Sequence, residues 1–216
     1  MHGYTGKIAH IDLTTGKSIV EEPPEHFYRR YLGGNGFIGY YLLKEVPRGA
    51  DPLGPGGFFG AEMRRAGFDA IVVHGKSPKP VYLWINDGHV EVHPAEHLWG
   101  MKTLECQEAI RNELGDKLVR LAMIGPGGEK LVRQACIIND LKHAAGRSGL
   151  GAVMGSKNLK AVAARGRTPV PVADPDRVRE LARWMADNWR KDAAKLHDLG
   201  TDGGLMELNY AGQLPT

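Results

Sequence analysis

The residues from Asn139 to Lys160 concentrate glycine, alanine and basic side chains more densely than any other stretch of the chain. Small residues let a backbone approach a ligand closely, and their N–H groups can converge on an anion. Arg147, Lys157 and Lys160 add charge for phosphate. Asp140 and nearby carbonyls could hold a hard cation such as magnesium between phosphates. Residue types alone fit a glycine-rich packing loop with solvated basic side chains equally well. Two nucleotide motifs are near misses. Gly155-Ser156-Lys157 lacks the adjacent Gly-Lys of a P-loop, and Gly146-x-x-Gly149-x-Gly151 has the dinucleotide glycines in the wrong order.

Other candidate groups are weaker. Gly56-Gly57 precedes a helical pattern, which suits an anion or a plain turn into a core helix. Gly33-Gly34-Asn35-Gly36 carries the same choice, and Gly125-Pro126-Gly127-Gly128 reads as a hairpin turn. His93 and His97 are four apart, but Pro94 argues against a helix face that binds metal, so both read as solvated. Cys106 and Cys136 read as buried structural thiols. Two cysteines cannot ligate a four-iron cluster, which needs four thiolates. The four tryptophans read as core or interface residues, and no nucleophile–base arrangement follows from spacing.

These groups need positioning elements. Lys7–Leu13 and Lys17–Glu21 flank Thr14-Thr15-Gly16 as a hairpin. Pro24 opens a short helix to Tyr31, Phe37–Val46 a second, and Phe58–Ala66 a third; Pro47–Pro55 reads as turns. Ala70–His74, Val81–Ile85 and Val90–Val92 read as strands, the last two joined at Asp87-Gly88. Leu104–Leu114 has helical periodicity. Leu118–Ile124 and Leu131–Ile138 read as strands around the Gly125 turn, and Leu159–Ala164 as a final strand. Asp174 is a good N-cap with Pro175 at the first helical position, and Val178, Leu181, Ala182, Met185, Ala186 and Trp189 follow at helical spacing. A boundary is expected at Pro169–Asp174, between domains 1–168 and 174–216.

The 216 residues carry a net charge of +3 with both signs mixed throughout, which does not indicate nucleic-acid binding. No run of about 18 apolar residues suggests a membrane span. The N-terminus lacks the layout of a signal peptide, and two distant cysteines fit a reducing cytoplasm.

Taken in order, the motifs resemble the tungsten-containing aldehyde ferredoxin oxidoreductase family. They are Gly33-Gly34-x-Gly36, Asp51-Pro52-Leu53, Gly56-Gly57-Phe58-Phe59-Gly60-Ala61-Glu62 with Ala66-Gly67-Phe68-Asp69-Ala70-Ile71, and Gly75-Lys76 with Lys79-Pro80-Val81. Ile124-Gly125-Pro126-x-Gly128-Glu129 and the string Ala145-Gly146-Arg147 to Lys160-Ala161 complete the set. The resemblance implies an α+β fold, a β-sandwich-like base with short helices, followed by the start of a helical domain. It implies oxidation of aldehydes to carboxylic acids at tungsten (or molybdenum) held by two pterins. Electrons would pass through a four-iron, four-sulfur cluster to ferredoxin. Gly56 and Gly57 match the family's pterin-contacting glycine pair. Ala144 matches the residue whose carbonyl helps hold magnesium between the pterin phosphates, and His143 stands where the archetypal enzyme has an arginine. Ala145, Gly146, Arg147 and Lys157 fall in the same motif. The cluster cysteines and the catalytic acid or base lie downstream in the family, so no catalytic residue is assigned here.

Against the family pattern, several dozen residues are missing between Pro55 and Gly56, and the chain ends before any cluster cysteine. Loss of strands there should expose sheet edges. The isolated chain is therefore expected to be inactive and to purify without tungsten, pterin or iron. The alternative is a non-catalytic cofactor base, an interaction module or a degraded gene product, the first two working beside a separate cluster-bearing chain. Oligomeric state is left open.

Overall fold

The computed structural model describes residues 2–45 and 58–213, and the chain divides into two compact units, Met1–Pro171 and Val172–Thr216. The expected turns at Pro47–Pro55 and the pair Gly56-Gly57 lie outside the described residues.

The first unit is α+β and layered. Strand β1 (Ile8–Asp12) pairs antiparallel with β2 (Lys17–Glu21) and parallel with β3 (Ala70–His74), in the order β2-β1-β3. The second sheet contains β4 (Val81–Asn86), β5 (His89–Pro94), β6 (Arg120–Met123), β7 (Ile137–Asn139), β8 (His143–Ala145) and β9 (Leu159–Arg165). Its order is β5-β4-β9-β6-β7-β8, antiparallel except for the parallel β4–β9 pair.

Side chains alternate across a strand, so each sheet buries two sets of residues. Ala9, Ile11, Ile71 and Val73 of the small sheet share one core with Leu83, Ile85, Ala122, Val162 and Ala164 of the large one. That shared core makes the pair a sandwich. Ile8, Ala70 and Val72 pack on the opposite side, against Phe27, Tyr28, Phe37 and Tyr41. Those aromatics come from α1 (Glu25–Tyr31) and α2 (Asn35–Glu45). Tyr82, Leu121, Met123, Ala161 and Ala163 meet Cys106 and Ile110 of α4 (Thr103–Glu113) in a third core. Each fully buried Ile, Leu or Phe contributes about 1.5–3 kcal/mol.

Three short helices complete this unit: α3 (Phe59–Arg65), α5 (Pro126–Glu129) and α6 (Leu150–Ser156). Glu62 of α3 is buried; it accepts the Gly166 N–H at 3.0 Å and Arg165 Nη1 at 2.7 Å, which fixes α3 to the end of β9.

Two expectations fail locally. Gly125-Pro126-Gly127-Gly128 is not a hairpin turn: Gly125 is extended, Pro126 takes the first helical position, and the chain makes one turn of helix. The expected strand Leu131–Ile138 shrinks to Ile137–Asn139, because Leu131 adopts a left-handed φ of 58° and the chain turns through Gln134. The pairing of β6 with β7 survives, with Ala122 opposite Asn139.

In the second unit, α7 (Pro175–Leu199) is followed by a 3-10 turn (Gly200–Gly204) and α8 (Leu205–Tyr210). Asp174 caps α7, its carboxylate accepting the Arg177 N–H at 2.9 Å. Val178, Leu181, Trp184 and Met185 are about half exposed or more along this helix.

Candidate cofactor site

The glycine-rich string splits into three parts with different jobs. The first is the β7–β8 hairpin, which turns at Asp140 and Leu141 with φ of 47° and 64°. The Asp140 carboxylate accepts the Leu121 N–H at 3.2 Å and lies 3.7 Å from Arg120 and 4.0 Å from Arg111. It therefore holds the turn against β6 through Oδ1, while its Oδ2 is buried with no hydrogen-bond partner among the described residues. The Asn139 side chain is fully buried, and neither its amide oxygen nor its amide nitrogen has a hydrogen-bond partner among the described residues. Burying such a group unpaired costs about 1–3 kcal/mol.

His143, Ala144, Gly146 and Arg147 are exposed, while Ala145 is buried. β8 is the outer strand of its sheet, so among the described residues its outer backbone edge has no strand partner. A Cβ placed on Gly146 would meet only Cys136 Sγ, at 3.9 Å. This short segment is open.

The second part, Gly149 to Gly155, packs against the protein's own backbone. A Cβ on Gly149 would fall 2.1 Å from the Arg133 carbonyl oxygen, on Gly151 2.6 Å from that of Cys136, and on Gly155 2.0 Å from that of Gly128. α5 and α6 thus touch backbone to backbone. For these three glycines the packing reading is correct.

The third part turns inward. Lys157 donates to the Gly75 carbonyl at 3.1 Å, and burial lowers its pKa. Its own carbonyl accepts the Ser77 N–H at 3.1 Å, and Asn158 Nδ2 donates to the Ser77 carbonyl at 2.7 Å. Lys157 follows the C-terminal end of α6 while Arg147 precedes its start, with roughly 10 Å of helix between them. Lys160 has no exposed side-chain surface; it pairs with Glu129 and donates to the Met101 carbonyl at 2.9 Å. The reading of Lys160 as a phosphate ligand is therefore replaced by a buried ion pair. Of the expected set, His143, Ala144, Ala145, Gly146 and Arg147 are contiguous, Lys157 is engaged elsewhere, and Gly56 and Gly57 lie outside the described residues.

Other readings change as well. His93 and His97 are not simply solvated. His93 lies 3.0 Å from the Tyr82 hydroxyl and 2.8 Å from Glu91, and His97 lies 3.1 Å from Glu113. Among the described residues no group of three or more His, Cys, Asp or Glu side chains could hold a metal ion. Cys106 is buried as expected, and burial pushes its thiol up to about 11. Cys136 is only partly buried and lies outside any strand. The buried, unpaired Asn139 was missed, since an asparagine beside Asp140 reads as turn chemistry. Its signal was the flanking apolar pair Ile137-Ile138, which makes position 139 a strand residue. No described helix is long and apolar enough to cross a membrane.

Comparison with known proteins agrees with the motif order. The family model described as aldehyde ferredoxin oxidoreductase, N-terminal domain, matches residues 8–56 and 55–166. The two segments meet at Pro55-Gly56, where the family has further residues. The tungsten-containing aldehyde ferredoxin oxidoreductase of Pyrococcus furiosus is 40% identical over 89% of this chain and 38% of its own length. That of Thermococcus kodakarensis is 39% identical over 100% of this chain and 43% of its own. The aliphatic sulfonate oxidoreductase WOR-like subunit of Pyrococcus furiosus is 34% identical, covering 97% and 42%. Among solved structures, the active site complex BamBC of benzoyl coenzyme A reductase with 1,5-dienoyl-CoA superposes with a TM-score of 0.79 at 31% identity. That match covers 87% of this chain and 34% of the other. The chain spans about two fifths of the length of these relatives, and through its N-terminal domain it belongs to the aldehyde ferredoxin oxidoreductase family of oxidoreductases.

Proposed function

We propose that residues 1–168 form the pterin-facing base of a tungsten bis-pterin oxidoreductase that converts aldehydes to carboxylic acids, with residues 174–216 opening a helical second domain. The observation that carries this reading is the family match on both sides of the Pro55-Gly56 junction, at 38–40% identity to tungsten enzymes. The open segment supports a ligand-holding role. An outer strand with an unpaired edge, a glycine with free space above it and an exposed arginine suit a phosphate-bearing group. The orphaned Asn139 amide beneath them is a polar group in want of a partner.

In this reading the Ala144 carbonyl is a ligand for magnesium, and the backbone of Ala145 and Gly146 approaches the pterin phosphates. The Arg147 guanidinium supplies paired donors to the same phosphates, and His143 takes a phosphate contact in place of arginine. Gly56 and Gly57, by their match to the family's glycine pair, would contact the pterin, and Lys157 holds the motif to the end of β3 through the Gly75 carbonyl. A tungsten bis-pterin held there would supply two-electron oxidation of an aldehyde, for which a four-iron, four-sulfur cluster and ferredoxin would be the electron acceptors. The residues of this chain bind and orient; the cluster ligands and proton-transfer groups belong to other sequence. A cytoplasmic location goes with this assignment.

A second reading is favoured by the relatives themselves, since one is named as a subunit and another as part of a complex. Here the chain is a base that works beside a separate cluster-bearing chain. One experiment addresses both. The chain, tagged and recovered from its own cells grown with tungstate, is analysed for tungsten, for partners and for aldehyde-dependent viologen reduction. Tungsten and activity in an assembly support the proposal, and a cluster-bearing partner in that assembly selects the second form. The chain produced by itself should carry no tungsten; recovery from its own cells with neither a partner nor tungsten overturns both.

A further inference from the structure

A cavity of about 580 Å³ opens between α3 and the segment after β9, lined by Ala61, Arg64, Arg65, Arg167, Thr168, Pro169 and Val170. Three guanidiniums on one concave surface give it a positive potential that attracts an anion. The acids nearby are already committed. Asp69 accepts the backbone N–H groups of Thr5 at 3.0 Å and Gly6 at 2.8 Å, and reaches Arg64 only as a 3.6 Å ion pair. Glu62 gives one oxygen to Arg165 and the Gly166 N–H and the other to Arg65, which donates to it at 3.4 Å. The Arg167 side chain has no hydrogen-bond partner among the described residues; its backbone N–H is held by Asp87 at 2.8 Å, and its charge acts on Asp116, which is itself paired with Arg165.

Arg64 is further oriented by the Tyr4 ring, 5.2 Å from its guanidinium. With Nε turned toward Asp69, the terminal nitrogens of the fork remain for an acceptor. The volume falls within the range of small-molecule sites, and Ala61, Pro169 and Val170 give an apolar wall beside the positive one.

We propose that this cleft binds a small organic phosphate, its dianion held by Arg64, Arg65 and Arg167 and its organic part against Ala61, Pro169 and Val170. A dianion answers three cations better than a monocarboxylate, and a concave pocket of this size takes a metabolite rather than a polymer. None of these residues belongs to the His143–Arg147 segment.

The test is calorimetric titration of the full 216-residue chain with phenyl phosphate, inorganic phosphate and benzoate. Phenyl phosphate should bind at one site per chain, inorganic phosphate more weakly, and benzoate at least about tenfold more weakly than phenyl phosphate. Arg167→Gln and Arg65→Gln should each weaken phenyl phosphate by about tenfold, the loss of one charge-assisted contact. Lys17→Gln, an exposed charge at the far end of the small sheet, should change it less than about twofold. Thermal melts confirm that each variant is folded. Absence of phosphate binding to the unmodified chain, equal binding of benzoate, or unaltered affinity in both arginine variants overturns the proposal.

Discussion

The Lys160 ammonium meets the Glu129 carboxylate where neither is open to solvent, the two side chains being 0% and 5% exposed. Lys160 stands on β9 and Glu129 ends α5, so the pair joins the large sheet to the helix against which α6 packs. Glu129 also accepts the Gly100 N–H at 3.0 and 2.9 Å through its two oxygens.

Removing one partner leaves the other charge buried and alone. Lys160→Met should cost about 3–5 kcal/mol, and the double variant Lys160→Met with Glu129→Met should recover much of it. Urea unfolding of the three chains measures both values. Equal stability of the single and double variants would mean that the unpaired Glu129 carries no penalty, against this account.

The glycines of the string should separate cleanly by substitution. Gly155→Ala places a methyl 2.0 Å from the Gly128 carbonyl oxygen and should cost about 3 kcal/mol or more as α5 and α6 are forced apart. Gly146→Ala meets nothing closer than 3.9 Å and should stay within about 0.5 kcal/mol of the parent. Thermal unfolding distinguishes them; similar losses at both positions would contradict the division of the string.

Acid should weaken the first unit through Glu62. Burial alone would raise its pKa, but the Gly166 N–H and Arg165 more than offset this, and the net shift is downward. A carboxylate depressed in the folded state contributes stability above its unfolded pKa and loses it as pH falls through the folded one. Stability should thus decline between roughly pH 5 and pH 3, with a shallower slope in Glu62→Gln. Chemical denaturation across that range reads the slope, and an unchanged slope in the variant would remove Glu62 from the account.

The two thiols should react at different rates. Cys106 is fully buried with its pKa raised, so little thiolate exists near pH 8 and reagent cannot reach it. Cys136 is partly exposed. Titration with a chromogenic disulfide at pH 8 should release one equivalent quickly and the second only on unfolding. Two fast equivalents would mean that the α4 core opens readily.

Local chemistry explains which elements were legible. Thr14-Thr15-Gly16 and Asp87-Gly88 marked their hairpins because positive φ falls on Gly16, Asp87 and Gly88, as such turns require. Asp174-Pro175 marked the start of α7 because both residues act within one turn of it. The stretch from Leu131 to Cys136 misled because apolar residues there resemble a strand, while the left-handed Leu131 follows from its seat after α5, a tertiary cause. Glycine spacing announced that backbones come close. It did not say that for Gly149, Gly151 and Gly155 the other backbone is the chain's own.

The parallel pairing of β1 with β3 has a consequence for the length of chain that joins them. Ile8–Asp12 and Ala70–His74 are neighbours in space, so everything between β2 and β3 is one crossover whose two ends are fixed by the sheet. The junction at Pro55-Gly56 falls on that crossover. Lengthening such a connection changes closure entropy only logarithmically, about 0.6 kcal/mol per doubling. A change in the length of that connection can therefore leave the pairing of Ile8–Asp12 with Ala70–His74 as it stands.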